Sequence, residues 1–329
     1  MKNIIVTGSS SGFGLNTSIA LAENGWNVFS SVRNLASADT LLKIAKERGV
    51  SERINVITMD VTDVSSVDNA INEIAAITND QIDAVVNNAG YSVMGAFEDL
   101  SDAHIRKQME TNFFGTLNVT KAVLPGMRKM KRGRIVIVSS NALNTPHPLL
   151  SMYAASKWAL EGWAEALQME VSPFGLSVVV VQPGAHRTPF AENVVSLFPD
   201  DSEYKQWIES ALPGISNLDS WGRDSHHATA PILNAVEDHD HPFRSQIGED
   251  AIIFEKLRGA FPFELRAHLM RLIVGLPSDN QFIKNDDDSD EKHASATTAD
   301  ILETVGRSLS ENKQMSAIEV TKLFGLLAK

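Results

Sequence analysis

The order of apolar segments predicts an α/β protein: a single doubly wound parallel sheet with helices on both faces, plus a helical C-terminal extension. Three observations carry this. Short β-branched runs recur at 4–6, 28–32, 54–59, 84–86, 135–138 and 178–181. They are apolar almost throughout, as strands buried on both faces are, whereas half-exposed strands alternate. Stretches with helical spacing lie between them, at 15–24, 65–76, 104–127 and 153–171, and repeated strand–helix alternation of this kind gives a parallel sheet.

The first strand runs into Thr7-Gly8-Ser9-Ser10-Ser11-Gly12-Phe13-Gly14, which opens the first helix. Glycines let a backbone approach a pyrophosphate, and a helix N-terminus offers unpaired N–H groups and a positive dipole end. Gly8, Ser10, Ser11, Gly12, Phe13 and Gly14 are therefore candidate cofactor contacts. The second strand ends Ser31-Val32-Arg33-Asn34 without the acidic residue that accepts hydrogen bonds from the ribose 2′-hydroxyl of NAD. Arg33 stands in its place, and a guanidinium suits the 2′-phosphate of NADP by charge and forked geometry. The expectation is NADP in preference to NAD; a surface arginine unrelated to any cofactor is the alternative.

The fifth strand ends in Ser139-Ser140, at the carboxyl edge where open α/β sheets bind ligands. Tyr153 follows 13 positions after Ser140, with Lys157 four residues further on. On a helix, i and i+4 share a face. A phenol is a poor proton donor or acceptor at neutral pH, and a nearby ammonium favours the phenolate, lowering its pKa toward a usable range. Taken alone, a Tyr-x-x-x-Lys pair is also what an ordinary helix surface carries.

In combination these pieces resemble the classical short-chain dehydrogenase/reductase family. The matching residues are Thr7–Gly14, Asp60 after the third strand and Asn87-Asn88-Ala89-Gly90 after the fourth. Asn112 in Thr111-Asn112-Phe113, Ser140, Tyr153, Lys157 and Pro183-Gly184-x-x-x-Thr188 complete the set. The resemblance covers residues 1–276 as one Rossmann-type domain, with 188–225 as its substrate-covering segment. It implies a Ser–Tyr–Lys–Asn tetrad. Tyr153 would move the proton, Ser140 hold the substrate oxygen, Lys157 bind the nicotinamide ribose and tune Tyr153, and Asn112 hold a water in a proton relay. It also implies cofactor contacts from Asp60 (adenine), Asn88 (adenosine ribose) and Thr188 (near the nicotinamide amide), with Val61, Ala89, Gly90, Pro183 and Gly184 as further cofactor-binding residues. The reaction would interconvert a carbonyl and an alcohol, with hydride chemistry left to the cofactor and no metal. A catalytically silent NADP(H)-sensing or interaction protein on the same fold is the alternative, because fold alone is no warrant for activity. Phe13, the end of the second strand and the portion 231–276 resemble, more weakly, the members acting on hydroxysteroids, retinoids and related lipophilic alcohols.

After Thr188 the chain is irregular and aromatic. Phe190, Phe198, Trp207 and Trp221, with Tyr91 and Leu143, either line an apolar substrate pocket or pack a lid onto the sheet. A medium-sized, mainly apolar ketone, aldehyde or secondary alcohol is expected. Helical spacing returns at 225–237 and 249–274, with a short strand at 244–247. Residues 277–299 have an acidic linker composition, and 300–329 carry two amphipathic segments, at 301–309 and 316–327. The acidic run lacks the glycine and glutamate of a calcium loop.

Composition narrows the partners. A formal charge of −12 and a pI near 5.2 argue against nucleic acid and anionic membrane surfaces. The basic cluster 128–134 reads as a solvated helix end. No cysteine is present, which excludes disulfides and thiolate chemistry. The histidines at 226–227 and 239–241 lie without a partner at metal-site spacing. The first strand begins within the first few residues, so no signal peptide is evident, no apolar run approaches the ~20 residues of a membrane span, and a cytoplasmic protein is expected. The family resemblance further implies a homodimer or homotetramer through the helices at 104–127 and 153–171.

Overall fold

The structure is a computed structural model that describes residues 1–276 apart from 146, 193, 221 and 275. Trp221, the acidic linker and the C-terminal helical segments therefore lie outside the described residues.

Seven strands form one parallel sheet: β1 (Asn3–Val6), β2 (Asn27–Val32), β3 (Ile54–Thr58), β4 (Ala84–Asn87), β5 (Gly133–Val138), β6 (Leu176–Pro183) and β7 (Arg244–Ile247), in the order β7-β6-β5-β4-β1-β2-β3. Side chains alternate between two helical layers, so both faces of the central strands are buried. Ile4 and Val6 join one core with Val28, Val136 and Val179, while Ile5 joins the other with Phe29, Ile135 and Val178. That is why the strand sequences are apolar without a period of two.

One layer holds α1 (Gly12–Glu23), α2 (Asp39–Glu47) and a later helix, Thr229–Glu237. The other holds α3 (Val64–Thr78), a long helical run from Asp102 to Met130, and Ser151–Val171. That long run is three pieces: α4 (Asp102–Met109), a π turn (Glu110–Phe114) and α5 (Gly115–Met130). The longer remaining helices are α6 (Ser151–Val171), α7 (Lys205–Ser220), α8 (Thr229–Glu237), α9 (Glu249–Ala260) and α10 (Phe263–Ile273). The sequence suggested one helix over 249–274. Pro262 instead ends α9, because proline has no N–H to continue the ladder and drives the residue before it out of the helical region; Phe261 sits at φ −123, ψ 145.

The basic cluster also differs from its expectation in one member. Arg128, Lys129, Lys131 and Arg132 are exposed, but Arg134 is buried on β5. Its guanidinium donates to the carbonyl oxygens of Ala235 at 2.8 Å and Asp238 at 2.7 Å, and to Ser177 Oγ at 3.1 Å.

Chain order reverses between β1 and β4, which lie side by side with β2 and β3 beyond one and β5 to β7 beyond the other. Their carboxyl ends leave a crevice, the usual ligand position in this architecture. In the segment 188–225, expected to cover the substrate and called the lid below, Phe198 and Trp207 pack with Ile208 and with Leu149 and Ala96 from outside it. Two short parallel pairings tie the lid down: Val93–Met94 with Val195–Ser196, and His186–Arg187 with Arg223–Asp224. No described helix is long and apolar enough to cross a membrane.

Candidate active site

The glycine-rich turn is stitched to the neighbouring strand end. Thr7 Oγ1 accepts the backbone N–H groups of Asn88 and Ala89, both at 2.9 Å. Asn88 Nδ2 in turn donates to the carbonyls of Thr7 at 2.9 Å and Gly8 at 3.2 Å. The turn is tight enough to demand glycine at two places. Gly8 sits at φ +69 against Ala89, and a Cβ on Gly14 would collide with the Gly8 carbonyl and lie 2.6 Å from Asn88 Nδ2. The glycines thus let the turn pack closely against Asn88 and Ala89 and lead directly into the N-terminus of α1, whose unpaired N–H groups suit a bound diphosphate.

Arg33 is exposed at the end of β2 and has no hydrogen bond or ion pair among the described residues. Asp60 caps its own turn, accepting from Thr62 N at 2.9 Å and Thr62 Oγ1 at 2.7 Å. Val61 is buried and its carbonyl takes Asn118 Nδ2 at 3.0 Å. Gly90 lies against Asn112, and Thr188 faces Gly12 across the crevice. Between the buried Pro183 and Thr188, the strap at Gly184 is held by Asp250, whose Oδ2 accepts Ala185 N–H at 2.7 Å. His186, which sequence reasoning passed over, stacks edge-on against Phe13 at 5.1 Å. The structure brings Gly8, Gly14, Asn88 and Ala89 together, and sets Gly12 against Thr188 and Gly90 against Asn112.

On the other side, Ser140 follows β5 in extended conformation, its Oγ accepting Ala142 N–H at 3.1 Å. The first turn of α6 brings Tyr153 close enough for the Ser140 hydroxyl to act on its phenol. Burial pushes the Tyr153 phenol above its ordinary range, and the Ser140 hydroxyl only partly opposes this. The sequence suggested a phenol lowered by its lysine. Desolvation wins here because Lys157 does not bond the phenol: its Nζ donates to the Val138 carbonyl at 2.8 Å and lies 5.8 Å from the Tyr153 ring centroid. Burial lowers the Lys157 ammonium to about 8, with Glu161 opposing the shift. At neutral pH the arrangement therefore holds a protonated phenol beside a charged lysine, the state of a proton donor.

Asn112 occupies the π turn, a distortion frequent at functional sites and one with no periodic signature in sequence. Its amide is committed: Oδ1 accepts Tyr91 N–H at 3.0 Å, and Nδ2 donates to the Tyr91 carbonyl at 3.0 Å and to Ser156 Oγ at 3.1 Å. Gln108, also missed by sequence reasoning, donates to the same Tyr91 carbonyl at 2.8 Å and accepts Val93 N–H at 2.7 Å. Phe190 reaches from the lid to 6.0 Å from the Tyr153 ring. Of the other aromatics, Phe198 and Trp207 belong to the lid core and not to the catalytic crevice.

Comparison with known proteins agrees with this geometry. The profile of the short chain dehydrogenase family matches residues 2–196. The chain is 33% identical over 276 residues to the 3-ketodihydrosphingosine reductase of Bacteroides thetaiotaomicron, spanning 83% of this chain and 98% of that one. A solved short-chain dehydrogenase from Streptomyces avermitilis superposes with a TM-score of 0.70 at 31% identity, covering 82% of this chain and 97% of the other. The NADP-bound structure of ElxO shares the fold at a TM-score of 0.64 and 23% identity, covering 75% and 96%. This chain belongs to the short-chain dehydrogenase family and is an oxidoreductase of that family.

Proposed function

We propose that the protein is an NADP(H)-dependent reductase of mainly apolar carbonyl compounds, with Ser140, Tyr153, Lys157 and Asn112 as its working residues. The observation that carries this is the buried Lys157, 5.8 Å from the Tyr153 ring and bonded to the strand end that leads into Ser140, beside the glycine-rich turn. When bound, the dinucleotide supplies the hydride. Tyr153 gives its proton to the nascent alkoxide, and Ser140 holds the same oxygen. Lys157 supplies positive charge under the phenol as it loses that proton, and binds the nicotinamide ribose. Asn112 acts first as a brace for the Tyr91 segment; a water in the relay takes the lone pair that its oxygens leave open. The raised phenol is in the proton-donor form that reduction uses.

Support for NADP over NAD is local. β2 ends without a carboxylate, and the unpaired Arg33 guanidinium is available to a 2′-phosphate. Support for an apolar substrate comes from Phe190 beside Tyr153, the buried Leu143 and the likeness to the Bacteroides 3-ketodihydrosphingosine reductase. Exposed Phe114, Trp158 and Met169 on the π turn and α6 support the homodimer or homotetramer; light scattering that finds a monomer at micromolar concentration would refute it.

The test is titration with NADPH and with NADH, followed by nicotinamide fluorescence, in the parent and in Arg33→Ala. NADPH is expected to bind at least tenfold more tightly than NADH, a preference worth about 1.4 kcal/mol, and the variant to lose it. Equal affinities in the parent would overturn the cofactor assignment. Carbonyl reduction that survives Tyr153→Phe would overturn the tetrad.

A further inference from the structure

Below the proton machinery lies a buried polar cluster that the proposed reaction does not use. Glu161 is one turn beyond Lys157 on the same face of α6 and is 4% exposed. Its Oε1 accepts Gln182 Nε2 of β6 at 2.7 Å, and its Oε2 accepts Arg244 Nε of β7 at 2.6 Å. Arg244 is also bonded to the exposed Glu165 at 2.7 Å. Arg258 of α9 lies within the field of the Glu161 carboxylate. One buried anion is thus faced by three cations from three elements: Lys157, Arg244 and Arg258.

The same cluster grips the loop that follows Ser140. Gln182 Oε1 accepts Asn144 Nδ2 at 3.2 Å, Arg258 donates to the Leu143 carbonyl at 3.1 Å, and Arg266 donates to the Asn144 carbonyl at 3.3 Å. Gln246 Nε2 completes Gln182 at 3.2 Å. From Glu161, hydrogen bonds therefore run through Gln182 to the loop that positions Ser140, while its charge acts on Lys157 along the helix. Burying a carboxylate is costly unless its charge and lone pairs are satisfied, and here Gln182 of β6 and Arg244 of β7 satisfy it.

We propose that Glu161 is a positioning residue for the reaction: a hub carboxylate that keeps Lys157 charged and fixes the Ser140 loop against α6. This rests on the reading of Ser140, Tyr153 and Lys157 given above. The groups facing Lys157 are Tyr153 and Glu161 from α6 and the Val138 carbonyl from β5; Arg244, Arg258 and Glu165 act through Glu161.

The experiment is the pH profile of NADPH-dependent reduction of phenanthrenequinone by the full chain, in the parent, Glu161→Gln, Arg244→Gln and Tyr153→Phe. In the parent, kcat/KM falls as Lys157 loses its proton, near pH 8. Glu161→Gln removes the anion and moves this limb down by about half a unit to one unit. Arg244→Gln removes a cation, leaves the anion less neutralised, and moves the limb up. A residue that merely braced the sheet would lower the rate without moving the limb in opposite directions. Unmoved limbs, or limbs moved the same way, overturn the proposal. Should Glu161→Gln fail to fold, Arg244→Gln alone decides: an upward shift supports the hub, and no shift or a downward one overturns it. Where the quinone turns over too slowly, the same limb is read from NADPH affinity, because the charged Lys157 also holds the nicotinamide ribose in that reading. An active Tyr153→Phe would sink the tetrad itself; an inactive one with unmoved limbs sinks the hub alone.

Discussion

The Gly14→Ala substitution tests the glycine-rich turn most directly, because it adds one methyl group where the backbone leaves no room. The new carbon would meet the Gly8 carbonyl oxygen and lie 2.6 Å from Asn88 Nδ2. Neither neighbour is a flexible side-chain tip. Gly8 is held at φ +69 in the turn, and the Asn88 amide is pinned by hydrogen bonds of 2.9 and 3.2 Å. To restore an ordinary contact of about 3.5 Å, the turn and α1 must separate by roughly an ångström. That breaks both Asn88 bonds, each worth about 1 kcal/mol net, and adds overpacking strain of about 1–3 kcal/mol. The gain in helix propensity, about 1 kcal/mol, offsets only part of this. A net loss of about 2–4 kcal/mol is expected in urea unfolding. The same movement displaces the α1 N-terminus, so NADPH affinity should fall at least tenfold, or about 1.4 kcal/mol. Gly126→Ala in α5 is the control: its new carbon would meet only the Asp80 carbonyl at 3.5 Å, and stability should rise by up to ~1 kcal/mol. A Gly14→Ala protein that unfolds at the parent's urea midpoint and binds NADPH within twofold of the parent would refute the reasoning.

Lys157→Met should abolish turnover while making the fold more stable. Burial depresses the ammonium from 10.5 to about 8, so the unfolded chain binds the proton more readily. The resulting destabilisation is full below pH 8 and disappears above 10.5. Removing the ammonium should therefore gain ~1–3 kcal/mol at neutral pH, after the lost Val138 bond is counted, as thermal melts would report. His147 works the same way at lower pH. Its folded pKa is depressed from 6.5 to about 4 by burial, so the stability present above 6.5 is lost as pH falls toward 4. The loss is at most about 3 kcal/mol, and in His147→Gln the difference between urea midpoints on the two sides of this window should shrink accordingly. Arg134→Met should cost about 2–4 kcal/mol in urea unfolding, since it leaves the Ala235 and Asp238 carbonyls without their buried donor; a loss below ~1 kcal/mol would mean that other donors replace the guanidinium.

The sheet was legible because burial on both faces leaves a mark that survives without any partner information: unbroken β-branched runs at the right spacing. Ser140, Tyr153 and Lys157 were legible because their spacing fits a strand end followed by a helix. Asn112 could be named from its motif, but not the π turn that carries it, since one extra residue in a helical turn leaves apolar periodicity almost unchanged. The break at Pro262 was visible in principle, and helical periodicity on either side masked it. Arg134 was misjudged because a charge run does not show which member falls on a buried strand. Glu161 carried a usable hint, four residues after Lys157, whereas Gln182, Arg244 and Arg258 are joined to it only by the packing of distant segments.

The lid has a consequence for how such a protein changes over time. Phe198 and Trp207 pack with Ile208, Leu149 and Ala96, and two two-residue pairings tie it to the segments that follow β4 and β6. Segments held by so few backbone bonds open at low free energy and often set the pace of product release. Variation within the lid core can therefore alter which molecules enter and how long they stay, without disturbing the proton machinery beneath. Substrate choice and chemistry are inherited as separable parts.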